Sequence, residues 1–314
     1  QSLINPLGQE ESEPRRSLPA RRLALTGSTA WKKFQEPEYS DTFIGKIQEL
    51  YERGLTRAET DFQKLQQSLF ASQQQDVIRR LRAQRDSPGW ETRLPRLDGQ
   101  AKSLPALEIF NLGEWIQRYI KRGLPLYIDV VTLAATQQNN VFSLGVSFDL
   151  RKIQAWLDRR VEFWAGQVNQ ETGRLLMQEL EEAITGQESI KQIQQRVERV
   201  FDFSDVVRSE RIARTETLAA MNEAAVETYR QSGVVERKMW LATLDNRVRD
   251  THLAAHRQVV ELEGMFLVGG EVISHPGEGS PENAINCRCT VAPVLGRRTW
   301  TPPLLGLLSG SKPA

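Results

Sequence analysis

The sequence predicts a mainly α fold, in which a long N-terminal helix and a helical central body precede a small α+β module. Apolar residues recur every three or four positions from Asp41 to about Gln84 and again across 151–184, which is the spacing of a buried helix face. After Gly233 this spacing gives way to short β-branched and aromatic stretches separated by Gly, Pro and Asn. These observations place the helices first and the strands last.

Composition excludes several classes of protein. The 314-residue chain has 41 Lys and Arg against 40 Asp and Glu, so a net charge of +1 gives no global attraction to DNA or to an anionic membrane. No apolar run approaches the roughly 18 residues that span a bilayer, and we expect no membrane anchoring. Two cysteines are too few for a secreted disulfide framework, so we expect a reducing compartment and free, buried or metal-bound thiols.

The N-terminal segment, residues 1–40, lacks apolar periodicity and is predicted to be a disordered or extended arm. Basic pairs in this arm are candidates for nucleic-acid contact, while a solvated tail is the simpler interpretation. The four residues concerned are Arg15, Arg16, Arg21 and Arg22.

Residues 41–85 are predicted to form one long helix, with Asp41 as its N-cap. Its apolar seam needs a cover, because each large apolar side chain left exposed forgoes roughly 1.5–3 kcal/mol. We expect the helix to be an assembly element whose seam binds a partner; packing against 106–184 is the alternative. The seam contains Ile44, Ile47, Tyr51, Leu55, Phe62 and Leu65.

Residues 86–105 contain several prolines and are predicted to be a linker. Two helical patterns follow, over 106–122 and about 125–138. Gly123 and Pro125 stand between them, and as a pair they are expected to break the helix. The linker and this break are thus predicted to divide the first half of the chain.

The helical body is predicted to extend over 106–204. Asp149 is expected to cap one long helix over 151–184, whose aromatic stripe is typical of a core. A short helix should run from Ser189 to about Phe201.

Residues 205–295 are predicted to contain a helix that starts at Ser204 or Asp205 and ends near Gln231, followed by a small α+β unit. Gly233 should close the helix. Residues 296–314 form a proline-broken tail.

Three short motifs follow one another in fixed order: RIARTETLAAMNEAAVETYRQSGV (211–234), WLATLDNRVRDTH (240–252) and PENAINCRCT (281–290). In this order they resemble the phage Mu F-like, or SPP1 gp7-like, head morphogenesis family of minor head proteins. The resemblance is sharp over 208–293 and weaker over the helical region from about residue 104.

The resemblance implies a minor capsid protein of a tailed phage, which assembles in the host cytoplasm and lies inside the head at the portal vertex. Such a protein aids head assembly and DNA packaging or ejection. Its expected partners are the portal protein, other head or scaffolding proteins, and packaged DNA as a secondary contact. The alternative is a nucleic-acid-binding or metal-dependent nucleic-acid-processing protein.

The last motif holds both cysteines of the chain, and all three histidines come shortly before it. Cys287, Cys289 and His252 are ligands of the kind that structural zinc prefers, and Asn286 is suited to the turn that would bring the sulfurs together. An equally weighted alternative is that the thiols are small buried hydrophobes and the histidines hydrogen-bond locally. Candidates for a fourth ligand are His256, His275 and Asp245.

The Arg214-Thr215-Glu216 segment is predicted to be a structural joint, in which Arg214 and Glu216 pair with the α+β unit. Asp245, Arg247 and Arg288 are expected to belong to the same structural motif. Arginines near the proposed ligands could instead contact phosphate, unless neighbouring carboxylates pair with them.

Catalysis is not expected. His252 and His256 stand one helical turn apart, as in a zinc protease, but Leu253 replaces the glutamate that would act as general base.

Overall fold

A computed structural model describes residues 40–85, 109–186 and 188–295. The predicted arm up to residue 39, the linker and the tail lie outside these ranges. Within them the chain is mainly helical, with a few short antiparallel strands between Val235 and Leu295, which confirms the predicted fold class. No helix in the described ranges has the length and apolar character needed to cross a membrane.

Seven helices and five strands occur in the described residues, with a 3-10 turn (Leu150–Lys152) and a π-helical turn (Ser204–Arg208) between them. The helices are α1 (Asp41–Arg85), α2 (Leu112–Phe142), α3 (Gln154–Thr185), α4 (Ile190–Phe203), α5 (Ser209–Ser232), α6 (Asp250–Ala254) and α7 (Pro281–Ala284). The strands are β1 (Val235–Leu241), β2 (Val259–Glu261), β3 (Phe266–Val268), β4 (Glu271–Ile273) and β5 (Thr290–Leu295). Helices α1 to α5 form the helix bundle, and residues 235–295 form the α+β unit.

The seam of α1 is buried inside the chain itself. The helix packs against α2, α4 and α5, and the fully buried Phe62 ring lies edge-on to Tyr127 (5.0 Å between centroids) and Trp164 (5.5 Å). The seam therefore does not require a partner, which corrects the reason for predicting an assembly element. A helical apolar pattern shows that one face is buried, but not which surface covers it.

Helix α2 runs unbroken through Gly123 and Pro125, so the predicted break is wrong. Gly123 faces Trp164 of α3, and a Cβ there would approach the indole ring to 2.4 Å, so this glycine allows two helices to pack closely. Pro125 lies on the exposed side of α2, where the carbonyl group that loses its helical donor can bind water.

The junctions between the later helices also differ from prediction. Asp149 caps the 3-10 turn before α3, because its side chain accepts a hydrogen bond from the Arg151 N–H (3.1 Å). The helix expected to start at Ser204 or Asp205 starts instead at Ser209, after the π-helical turn. Gly233 closes α5 in the left-handed conformation (φ 66°), as predicted.

Helix α5 lies at the centre of the molecule and is buried on almost every side. It packs against α1 and α2 on one side and against β1 and β5 on the other. Small side chains permit these close approaches. The buried alanines are Ala213, Ala219, Ala220, Ala224 and Ala225.

The α+β unit contains an antiparallel sheet in the order β2-β1-β5 and a separate β3-β4 hairpin. Met239 of β1 pairs with Val259 on one side and Ala292 on the other. The hairpin pairs Leu267 with Val272. Because its strands are short, much of this unit consists of turns, and these turns carry the polar residues described next.

Candidate metal centre

Cys287, Cys289 and His252 meet at one buried point, as predicted, and we name them the Cys–His centre. The Nδ1 atom of His252 lies 3.3 Å from the Cys289 sulfur and 3.6 Å from the Cys287 sulfur. All three side chains are almost fully buried. Asn286 adopts the left-handed conformation (φ 55°), which supplies the turn that directs both sulfurs to the same side.

The orientation of the His252 ring is fixed by Asn283. The Asn283 side-chain N–H donates to the Val268 carbonyl (3.3 Å), which leaves its Oδ1 to accept from the His252 Nε2–H (3.3 Å). The Nδ1 atom therefore faces the sulfurs, where it can donate to a thiolate when it carries a proton and can offer a metal ion its lone pair when it does not. His252 sits in α6, whose N-cap is Arg249.

The two thiols differ in acidity. Burial by itself raises the pKa of the Cys287 thiol, but hydrogen bonding to Cys289 and His252 outweighs burial and holds that pKa well below its usual range. The pKa of Cys289 is raised by its hydrogen bond to the Cys287 sulfur and by burial. Cys287 is thus the sulfur that ionises first, and a metal would displace the proton of Cys289.

None of the three candidates for a fourth ligand joins this centre. Asp245 is held by Arg288, His256 Nδ1 accepts from the Ala242 N–H (3.1 Å), and His275 faces Glu223 (2.9 Å). In the described residues the metal-ligand atoms that converge here are therefore the two sulfurs and one imidazole nitrogen. Three protein ligands with an open position remain a set that zinc accepts.

Arg214 does not reach the α+β unit, so its predicted pairing is wrong. It forms ion pairs with Glu210 one turn earlier (2.6 Å) and with Glu59 of α1 (3.6 Å). Helix α1 was not expected on this face, because the sequence pattern does not show which elements become neighbours. Arg214 therefore links α5 to α1.

Glu216 also pairs inside the helix bundle and not with the α+β unit. Its buried carboxylate accepts a hydrogen bond from the Tyr127 hydroxyl (2.7 Å) and forms an ion pair with Arg160 (2.6 Å). Thr215 is the member of the segment that reaches the α+β unit, where its hydroxyl accepts from the Asn286 N–H (3.4 Å). The segment thus connects α5 to four neighbours, namely α1, α2, α3 and the α+β unit.

Asp245, Arg247 and Arg288 lie together, as expected of one structural motif. Two nitrogens of the Arg288 guanidinium donate hydrogen bonds to the Asp245 carboxylate, and these hydrogen bonds hold the pKa of Asp245 well below its usual range. The Arg247 N–H donates to the same carboxylate (2.9 Å). Arg257 pairs with Asp41 of α1. These arginines therefore have carboxylate partners, and the candidates Arg15, Arg16, Arg21 and Arg22 lie outside the described residues.

The sequence-based predictions missed two asparagines that organise the centre. Asn222 of α5 donates to the Cys289 carbonyl (3.2 Å), and its Oδ1 accepts from the Val291 N–H (3.1 Å). This amide fixes the backbone on both sides of Thr290, next to the sulfur ligand. Two sequence signals could have indicated these residues. Asn222 is an amide inside the alanine-rich stretch AAMNEAA, and Asn283 lies in the motif that holds the cysteines.

The part of the chain that contains the Cys–His centre is similar to a known protein family. Residues 175–292 match the family model described as "Phage Mu protein F like protein". This segment is Mu F-like. The Mu F-like segment begins within α3 and ends within β5, so it contains α5, the Cys–His centre and both asparagines. Over these residues the chain is therefore similar to a phage head protein family.

The chain is also similar to NAD(+)--arginine ADP-ribosyltransferase EFV of Enterococcus faecalis. The two sequences are 33% identical over 89 residues, which cover 27% of this chain and 18% of that protein. The chain thus spans less than a fifth of the length of this relative. No solved structure matches the chain.

Proposed function

We propose that the chain is a minor head protein that lies inside the capsid at the portal vertex and assists head assembly and DNA packaging or ejection. The observation that carries this proposal is the Mu F-like segment 175–292, which includes α5 and the α+β unit packed on it as far as Ala292 in β5. The portal protein is the principal partner, other head or scaffolding proteins are further partners, and packaged DNA is a secondary contact.

Site-specific photo-cross-linking in assembling particles tests the location. Three exposed apolar side chains on different elements are suitable positions for the cross-linker, namely Val206, Leu244 and Val272. At least one position should cross-link to the portal protein, and the chain should resist protease in intact heads. The proposal is contradicted if protease digests the chain in intact heads, or if purified heads do not contain the chain. Samples kept in the dark are the control.

Zinc is proposed as the resident ion of the Cys–His centre. Cys287, Cys289 and His252 would hold it, and it would tie α6 to the start of β5 in a unit with little core of its own. Protein purified in reducing buffer should contain about one zinc per chain at this centre, and Cys289→Ala should lose it. His256→Ala is the matched control, because His256 bonds elsewhere. Folded protein without bound metal contradicts this part of the proposal.

We propose that the chain has a structural and not a catalytic role. Glu216, the acidic residue of the Arg-Thr-Glu segment, is buried against Tyr127 and Arg160 and is inaccessible to a substrate. The similarity to an ADP-ribosyltransferase covers 18% of that protein. Incubation with NAD⁺ and an arginine substrate should give no product. An activity that a stable Glu216→Gln protein lacks would show that the structural assignment is wrong.

A further inference from the structure

A second group of metal-ligand atoms lies between α5 and the turn that follows β4. It consists of Glu223, His275 and Glu278, which we name the Glu–His cluster. The His275 ring is completely buried, and its Nε2 lies 2.9 Å from Glu223 Oε2 and 3.4 Å from Glu278 Oε1. These atoms all lie within 4.8 Å of one another. Atoms bound to one ion at about 2.0–2.2 Å are separated by roughly 3–4 Å, so the spacing suits a shared ion.

The contacts of His275 require a proton or a metal ion between Nε2 and the carboxylate oxygens. Nδ1 lies 2.9 Å from the Pro276 carbonyl, so Nδ1 carries a proton and donates it. A neutral imidazole then has only a lone pair at Nε2, which would face two carboxylate oxygens. Either a second proton or a metal ion must lie there. A proton bonds to one oxygen at a time, whereas a metal ion binds both oxygens and the nitrogen.

Each carboxylate is arranged to leave one oxygen for the cluster. Oε2 of Glu278 accepts from the Ser274 hydroxyl (2.6 Å) and N–H (3.2 Å), so Oε1 is directed to His275. Oε1 of Glu223 lies 3.8 Å from Arg230, which leaves Oε2 for the ring. Fixed outer partners of this kind are typical of ligands that hold a metal.

The backbone brings the turn close to α5 at this point. Gly277 adopts φ 95° and lies against Ala219, where a Cβ would come within 2.9 Å of the Ala219 Cα. Ala219 and Glu223 are one helical turn apart, so this approach places His275 beside Glu223. Glu278 also lines an open cleft of about 580 Å³ with Arg160 and Phe163, so this member of the cluster borders solvent.

We propose that the Glu–His cluster is a second divalent-metal site, separate from the Cys–His centre and independent of the proposed role in the capsid. Its two carboxylates and one imidazole suit an ion of the Mn²⁺ type, which prefers oxygen and nitrogen donors to sulfur. The ion would connect the turn after β4 to α5, as the Cys–His centre connects α6 to β5.

Titration of the full chain with Mn²⁺, followed by the electron paramagnetic resonance signal of the free ion, tests this site. About one equivalent should bind. Glu223→Gln and Glu278→Gln should each weaken binding at least tenfold. Glu227→Gln removes the same charge one turn along α5 and should leave binding unchanged, and so should Cys289→Ala. The Cys289→Ala result separates this site from the proposed zinc.

A measurement on the unaltered chain gives a result even where a variant fails to fold. Bound Mn²⁺ should broaden the ring signals of His275 in a proton–nitrogen spectrum before those of His256. Absence of Mn²⁺ binding, binding that both glutamine variants retain, or broadening that does not include His275 would overturn the proposal. The cluster would then be a buried imidazolium held by two carboxylates.

Discussion

In the helix bundle, large aromatic side chains such as Phe62, Tyr127 and Trp164 are almost completely buried against one another, whereas the α+β unit has strands of three to seven residues. The unit also buries Trp240 and Phe266, but side-chain amides and two clusters of titratable groups fix it in addition. Apolar burial involves no group that titrates or binds a metal ion. We therefore expect a change of pH or of metal-ion concentration to destabilise the α+β unit before it destabilises the helix bundle.

The largest expected effect is in the helix bundle. Phe62→Ala should lower the free energy of unfolding by about 3–5 kcal/mol, because it leaves a cavity between Tyr127 and Trp164. Phe163→Ala is the matched control, since that ring is 44% exposed and should cost less than about 1 kcal/mol. Denaturant titration measures both. Equal costs would show that the bundle does not depend on this aromatic contact.

The polar attachment of the α+β unit should give the next effect. Asn222→Ala leaves the Val291 N–H and the Cys289 carbonyl buried without this partner, which should cost about 2–3 kcal/mol. Hydrogen exchange should rise in β5 while exchange in α2 stays slow. Uniform loosening of both regions would contradict the distinction between them. Asn169→Ala, which removes a buried amide inside the bundle, is the control.

Lys238 supplies a pH-dependent test of the same distinction. Burial lowers the pKa of Lys238 to about 8, below the unfolded value of about 10.4. Between these values the unfolded chain binds more protons, so the free energy of unfolding should rise with pH. Below about pH 8 Lys238 is buried in its charged form, so the cost of burying that charge lowers the free energy of unfolding by its full amount.

Lys238→Met should therefore stabilise the protein by about 2 kcal/mol at pH 7 and remove this rise. Thermal unfolding of both proteins from pH 7 to 10 measures the difference. A destabilised Met variant would show that the buried ammonium is favourable where it lies, 5.7 Å above the Phe266 ring.

The smallest expected effect is at the surface pair between Arg257 and Asp41. Asp41 is 93% exposed, and Asp41→Asn should change the free energy of unfolding by less than about 0.5 kcal/mol. Glu49→Gln, which removes an exposed partner of Arg53, should behave alike. A larger loss for Asp41→Asn would show that this contact supports the docking of α1 on the α+β unit.

Local sequence signals predicted much of this structure. The three-and-four spacing predicted α1 over 41–85, as observed, and the short apolar stretches after Gly233 predicted strands in the region where they occur, 235–295. The meeting of Cys287, Cys289 and His252 was predictable because rare ligand types were concentrated near a turn-forming asparagine. Each of these features depends on neighbours in sequence.

What could not be predicted depends on distant neighbours. Gly123 is a packing contact because Trp164 lies opposite it, and the sequence around Gly123 does not contain that information. Glu216 is buried by Tyr127 and Arg160, from two other helices. The sequence analysis named His275 as a candidate ligand of the Cys–His centre, but its partner is Glu223. Glu223 lies in the alanine-rich part of α5, where the sequence pattern indicates close helix packing and not a ligand.

The contact between the start of α1 and the sheet has a consequence for synthesis on the ribosome. Ile44 and Ile47 pack with Leu241 and Val294, and the Gln48 side chain donates to the Ala242 carbonyl (2.7 Å) across 194 positions. Helix α1 leaves the ribosome before the other described helices and strands, and β5, which completes its surroundings, leaves last among them. The apolar face of α1 is therefore exposed on the nascent chain until β5 is made, and a chaperone can bind it during that time.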